Sequence, residues 1–349
     1  MTRKKLFIRA DSGLEIGTGH IMRCFALAEV IKNLNFDVCF ISKRLEENIY
    51  DFISKKGYKI YYISNNNNHN NLIQNDVLDT KKIIEESKEK AAWVLVDHYD
   101  LDMEWESEIR KHVERIIVID DLANRKHNCD LLLDQNLYDN MYERYSNLVP
   151  TNCKILVGPK YALLRSKFLQ VRENVKCRKT LENILISFGG SDPTNETSKV
   201  LTGIKKLHMK NTKISAVVRS TNQHMDEIKK LCSSINNCTL YCDVDNMEQL
   251  MISSDLAIGA GGTTTWERCC LGLPSIVSII ADNQTEQIKT MAEKKCVINL
   301  GDCKNLTPYD YEECIKQIDS NMLMNMSSNC LEIVDGKGCF RVSEIMHSL

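Results

Sequence analysis

The sequence predicts an α/β protein of two domains, each built on a parallel sheet. Three observations carry this: the length, a set of short apolar runs, and helix-like segments between them. At roughly 150 residues per domain, 349 residues imply two domains. The apolar runs lie at residues 6–9, 38–41, 93–96, 116–119, 184–188, 214–218, 256–259 and 275–279. Each is bounded by polar residues or glycine, as buried parallel strands are, and alternation with helices is the pattern of α/β sheets.

The helices are legible in places. Residues 20–32 carry Ile21, Phe25, Ala28 and Ile31 at near-helical spacing. A second helix is expected over 195–207. A third starts near Thr264 and is stopped by Gly272 ahead of Leu273-Pro274. A short run at 247–252 follows Asp243-Val244-Asp245, which resembles a metal-binding Asp pair but is expected to cap the helix. The strand–helix pattern fades over 159–179, a segment rich in Lys and Arg, which reads as the crossover. The expected domains are therefore 1–175 and 176–349. Residues 65–71 are almost all asparagine and read as a mobile surface loop.

Composition excludes several classes. Hydrophobic residues make up 43% and charged residues 26%, ordinary for a globular protein. A net charge of −2 gives no whole-chain attraction to nucleic acid or to an anionic membrane. Lys4 and Lys5 precede an apolar run that breaks at Arg9 and Asp11, too short for a signal peptide. No stretch approaches the roughly 18 to 20 apolar residues of a membrane span. A cytoplasmic protein is expected. The 15 cysteines include no Cys-x-x-Cys pair, so reduced thiols are expected and a metal site is not.

Ligands of open parallel sheets bind beyond the carboxyl ends of the strands. After the first run come Gly17, Thr18, Gly19 and His20. The glycines permit close backbone approach. His20 falls at a helix start, where the dipole disfavours an imidazolium and suits a general base. The pattern is not a dinucleotide fingerprint, since Met22 occupies the third glycine position, and no cofactor is expected. Asp97-His98-Tyr99-Asp100 and Asp120-Asp121 follow two further runs, with Tyr99 able to bond a sugar or a water. Gly189 and Gly190 before a helix start form a possible anion cradle. The strongest signal is the turn through Gly261, Gly262, Thr263 and Thr264, suited to a diphosphate, with Glu267 one helical turn on, suited to a ribose diol. Asn283 offers an amide to sugar hydroxyl or acetamido groups.

Seven motifs in order carry a resemblance: Ile16-Gly-Thr-Gly-His20-Ile-Met-Arg23, Val96-Asp-His-Tyr99, Ile119-Asp-Asp-Leu122, Cys129-Asp-Leu-Leu-Leu-Asp-Gln-Asn136, Tyr161-Ala-Leu-Leu-Arg165, Phe188-Gly-Gly-Ser-Asp192, and residues 259–267. From about Leu6 to Leu300 the chain resembles the UDP-2,4-diacetamido-2,4,6-trideoxy-β-L-altropyranose hydrolases of pseudaminic acid biosynthesis. Its C-terminal half also resembles the wider family of UDP-N-acetylglucosamine transferases that build peptidoglycan lipid II. The resemblance implies a GT-B fold, two Rossmann-like domains facing an interdomain cleft, with the nucleotide held mostly by the second. It implies hydrolysis of a UDP-sugar at the anomeric carbon with inversion. The family's catalytic His falls on His20, its active-site Tyr on Tyr99, and its substrate-contacting Arg, Glu and Asn on Arg165, Glu267 and Asn283. A glycosyltransferase using a UDP-N-acetyl sugar donor is the alternative, a non-catalytic sugar-nucleotide sensor a third reading. A closely related nonulosonic acid route, such as that to legionaminic acid, would need nearly the same motifs.

Overall fold

A computed structural model of the protein describes residues 4–13, 16–34, 36–46, 48–64, 72–87, 91–189 and 192–349. Gly190 and the asparagine-rich residues 65–71 lie outside the described residues. The chain divides into two compact units, Met1–Arg165 with Lys337–Leu349, and Ser166–Gly336.

The first unit holds strands β1 (Lys4–Ala10), β2 (Phe36–Lys43), β3 (Lys59–Ile63), β4 (Ala91–Asp97), β5 (Val113–Ile119), β6 (Leu131–Asp134) and β7 (Lys154–Val157). They form one sheet in the order β3-β2-β1-β4-β5-β6-β7, with each neighbouring pair parallel. The second unit holds β8 (Asn183–Ser187), β9 (Lys213–Val218), β10 (Cys238–Cys242), β11 (Leu256–Ala260), β12 (Ser275–Ile279) and β13 (Val297–Asp302). Their order is β10-β9-β8-β11-β12-β13, again all parallel. Both sheets follow the same doubly wound plan, running outward in one direction from the first strand and then in the other.

Each apolar run of the sequence is a strand. Five further strands were not anticipated. Four of them, β3, β7, β10 and β13, are sheet edges with partly exposed residues. β6 is fully buried but only four residues long.

The expected division of the chain differs from the observed one at two places. Residues 166–175 belong to the second unit, where Arg172 Nη1 donates to the carbonyl of Cys270 and Nη2 to that of Leu331 at 2.8 Å. The helix Gly338–Ser348 returns to the first unit. Its Cys339, Val342 and Met346 complete the core that Ile21 and Phe25 enter from the helix Gly19–Ile31. A Cβ on Gly338 would come within 2.2 Å of the Ala162 carbonyl oxygen, so this return fits only with glycine there.

The expected Asp cap is also corrected. The helix Met247–Ile252 has Asn246 at its N-cap. Asp243 instead ends the preceding turn, with a left-handed φ of 49°, and accepts from Ser220 N at 3.2 Å. Among the described residues no helix is long and apolar enough to cross a membrane. The cysteines are free thiols, most of them buried.

Candidate functional site

In a doubly wound sheet the crevice opens where successive connections run to opposite faces. In the first unit that point lies between β1 and β4, and in the second between β8 and β11. His20 follows β1, Asp97 ends β4, and the Gly-rich turn follows β11. The sequence places its most chemical residues at both switch points.

In the first unit His20 opens the helix Gly19–Ile31 and is 8% exposed. Its Nδ1 lies 2.6 Å from Asp97 Oδ1. A carboxylate only accepts, so Nδ1 carries the proton and Nε2 presents a lone pair. No hydrogen bond reaches Nε2 among the described residues. Asp97 is fixed in turn by Arg23, which donates Nε to Oδ2 and Nη2 to Oδ1, both at 2.6 Å. Burial alone would raise the Asp97 pKa, but Arg23 and His20 outweigh it and hold the carboxyl well below its usual range. The helix start alone would work against an imidazolium. The buried carboxylate acts with the opposite sign, stabilising the positive ring that forms when Nε2 takes a proton.

Tyr99 stands edge-on to this ring, with centroids 4.6 Å apart and planes at 83°. Its hydroxyl donates to Asp121 Oδ2 at 3.1 Å. Burial first, and then the Asp121 charge, push the phenol far above its usual range. Its one proton is committed to Asp121, so toward a ligand the oxygen acts as an acceptor. Asp121 also takes Arg23 Nη1 at 2.9 and 3.0 Å and Asn136 Nδ2 at 2.9 Å. One arginine thereby ties the loops after β4 and β5 to the helix that carries His20.

A second buried cluster supports the first. Arg9 bonds Asp11 at 2.6 and 2.9 Å and Asp76 at 2.7 to 3.2 Å. His98 Nδ1 accepts from Asp100 N at 3.0 Å, so Nε2 carries the proton and donates to Asp11 Oδ2 at 3.1 Å. His98 is thus a neutral brace between β1 and the loop that displays Tyr99.

In the second unit Gly259 and Ala260 end β11, and a turn through Gly261, Gly262 and Thr263 leads into the helix Thr264–Cys270. The first two glycines are demanded by packing. A Cβ on Gly259 would stand 2.1 Å from Ser187 O, and one on Gly261 would stand 2.5 Å from Ile288 Cγ1. Gly262 faces open space apart from Gln284 Nε2 at 3.9 Å. Gln284 Oε1 accepts from Gly261 N at 3.2 Å and Ile280 N at 3.1 Å, joining this turn to the Asp282–Gln284 turn that carries exposed Asn283. Glu267 is half-buried one turn into the helix. Near Gly190, which lies outside the described residues, Asp192 accepts from Glu196 N at 2.8 Å and Thr197 N at 3.0 Å and so caps the start of the following helix.

Of the expected site residues, the structure brings His20 and Tyr99 together, and Gly261, Gly262, Thr263, Thr264 and Glu267 onto one turn and helix. Gly17 lies ahead of the His20 helix with a left-handed φ of 75°, donating to Gly13 O at 2.8 Å; Gly19 is the first helical residue. Arg165 is half-buried at the end of the first unit's main segment. The sequence placed Asp97 and Gln284 in polar clusters and Arg23 in a motif, but not their contacts: Asp97 on His20, Arg23 bridging two carboxylates, and Gln284 under the turn. Asp97 and Arg23 stood inside short motifs, but only folding sets 74 residues of separation to 2.6 Å.

Two Rossmann-like units, each with a parallel sheet and a polar crevice at its switch point, define a GT-B fold. Solved structures agree, among them MurG of Acinetobacter baumannii, with a TM-score of 0.69 at 14% identity, covering 99% of this chain and 100% of that one. Residues 184–335 match the glycosyltransferase family 28 C-terminal domain. Curated relatives include the UDP-2,4-diacetamido-2,4,6-trideoxy-β-L-altropyranose hydrolase of Campylobacter jejuni, 28% identical over 83% of this chain and 97% of that protein. The spore coat polysaccharide biosynthesis protein SpsG of Bacillus subtilis is 26% identical over 98% of this chain and 97% of its own length. An uncharacterized protein of Methanocaldococcus jannaschii is 29% identical over 78% of this chain. The chain spans only 55% of the length of that archaeal relative.

Proposed function

We propose that the chain is an enzyme that hydrolyses a UDP-linked 2,4-diacetamido-2,4,6-trideoxy sugar to UDP and the free sugar. The observation that carries this reading is His20, whose Nδ1 is held by a buried carboxylate while Nε2 has no hydrogen bond among the described residues, beside a tyrosine oriented to accept. In the proposed reaction Nε2 takes a proton from a water molecule. The water oxygen attacks the anomeric carbon, the bond from that carbon to the diphosphate oxygen breaks, and UDP leaves with the bonding pair. Asp97 stabilises the imidazolium as it forms, and Tyr99 accepts a second hydrogen bond from the water or the sugar. Gly261, Gly262, Thr263 and Thr264 would hold the diphosphate through backbone N–H groups and hydroxyls, with Glu267 on the ribose. Arg165 and Asn283 would contact the rest of the substrate. The relative from C. jejuni, named as a hydrolase of such a sugar, supports this choice of substrate.

The second reading, transfer of a UDP-N-acetyl sugar to an acceptor, is favoured by the family 28 match over residues 184–335. UDP release from a panel of UDP-diacetamido sugars with no acceptor present separates the two. Hydrolysis is expected, with an inverted free sugar as the first product by NMR. Turnover that begins only on addition of an acceptor would establish the transferase instead.

A further inference from the structure

Arg268 lies on the helix Thr264–Cys270, behind the Gly-rich turn, and is 3% exposed. Other buried arginines are fully committed. Arg9 and Arg23 each bind two carboxylates, and Arg178 spreads its donors over main-chain carbonyls, including those of Ser254 and Leu271. Arg268 does neither. Only Nη2 is bonded, to Ala260 O at 2.8 Å and Thr265 Oγ1 at 3.0 Å, and Nε is buried with no partner. No carboxylate hydrogen-bonds to it among the described residues, and the neighbouring Glu267 acts on it only through space. Burial pulls its pKa down, but a guanidinium stays charged at any working pH. A charge buried without a counter-ion is costly, and the cost falls if an anion arrives nearby.

The geometry shows where that anion would come. Nη1 lies 2.9 Å from where a Cβ on Gly259 would stand, so the missing side chain lets the main chain rest directly on the guanidinium. Nη2 holds the carbonyl of the next residue, Ala260. Thr264 and Arg268 also line a small cavity with Ser187. The cation is therefore built into the underside of the turn formed by residues 259–261.

We propose that Arg268 is a positioning residue that supplies the buried countercharge for the nucleotide's diphosphate, acting through the Gly259–Ala260 backbone without touching the phosphates. This rests on the proposed nucleotide site. It requires that the contribution of Arg268 grow with ligand charge, because a field acting through protein is felt by phosphates and not by a neutral nucleoside.

The test is calorimetric titration of the full chain and its variants with uridine, UMP and UDP. Arg268→Met should weaken UDP about 10- to 100-fold, UMP by a smaller factor, and uridine by no more than about twofold. Arg268→Gln keeps a donor for Ala260 without the charge, so it should behave as Met does and serves if Met does not fold. Arg268→Lys restores the charge and should lie close to wild type. Equal losses for uridine and UDP, or undiminished UDP binding in both neutral variants, would overturn the assignment alone. A wild-type protein that binds uridine and UDP equally would overturn the nucleotide site as well.

Discussion

The two switch points solve the problem of buried charge in opposite ways. At the end of β1 and β4 each buried ion has partners: Arg23 between Asp97 and Asp121, Arg9 between Asp11 and Asp76, with His98 bracing Asp11. What that network leaves open is the Nε2 of one histidine. At the end of β11 the charge is left incomplete, with Arg268 Nε unpartnered behind Gly259 and Gly261, neither of which has room for a side chain. On the proposed function, the first crevice does chemistry with a group already in place, and the second is completed by what binds.

The largest effect should come from the open position itself. His20→Asn should lower turnover by on the order of 10³, within the usual span for a general base, while UDP affinity stays near wild type. Steady-state rates paired with UDP titration check this, and a parallel fall in both would remove the distinction between the two crevices.

Breaking the support behind His20 comes next. Asp97→Asn should cost about 10²-fold in turnover, because the amide can present a donor to Nδ1 and release the tautomer. It should also cost about 3 kcal/mol of stability by leaving Arg23 short of a carboxylate. The pH dependence follows the same groups. The folded pKa values of Asp97 and Asp11 are depressed, so their contribution is complete above the ordinary carboxylate range near pH ~4 and is lost as pH falls below it. Denaturant melts from pH 7 to pH 2 should show a shallower acid loss in Asp97→Asn than in wild type.

The second crevice is sharpened by two glycines three residues apart. Gly259→Ala forces a methyl group onto Ser187 O and should destabilise by about 3 kcal/mol or more. Gly262→Ala meets only open space and Gln284 Nε2 at 3.9 Å, and should cost less than about 1 kcal/mol. Equal melting temperatures for these variants would mean that the turn is looser than its packing implies.

Much of this architecture was readable in advance, for identifiable reasons. Central strands such as β4 and β11 are apolar on both faces, so each announces itself as a continuous run. Edge strands such as β10, with Thr239 and Cys242 exposed and the rest half-buried, carry no such mark. The return of the helix Gly338–Ser348 to the first unit was invisible, since helical periodicity marks an apolar face without saying which core receives it. Among the site residues, His20, Tyr99 and the glycines of the second turn stood out because unusual residue types follow strand ends. Asp97 and Arg23 stood in the same motifs, but nothing in their spacing said that one would hold His20 and the other would hold Asp97.

The sequence by itself determined the α/β class, the strands of both sheet centres, and which loops carry chemistry. These follow from local patterns of hydrophobicity and from glycine, which act over a few residues. Only the tertiary structure decided which charge meets which: that Asp97 holds His20, that one arginine serves two carboxylates, and that another hydrogen-bonds to none among the described residues. Pairing energies depend on distance and on the loss of water around each ion, and both are set when segments dozens of residues apart are folded against one another.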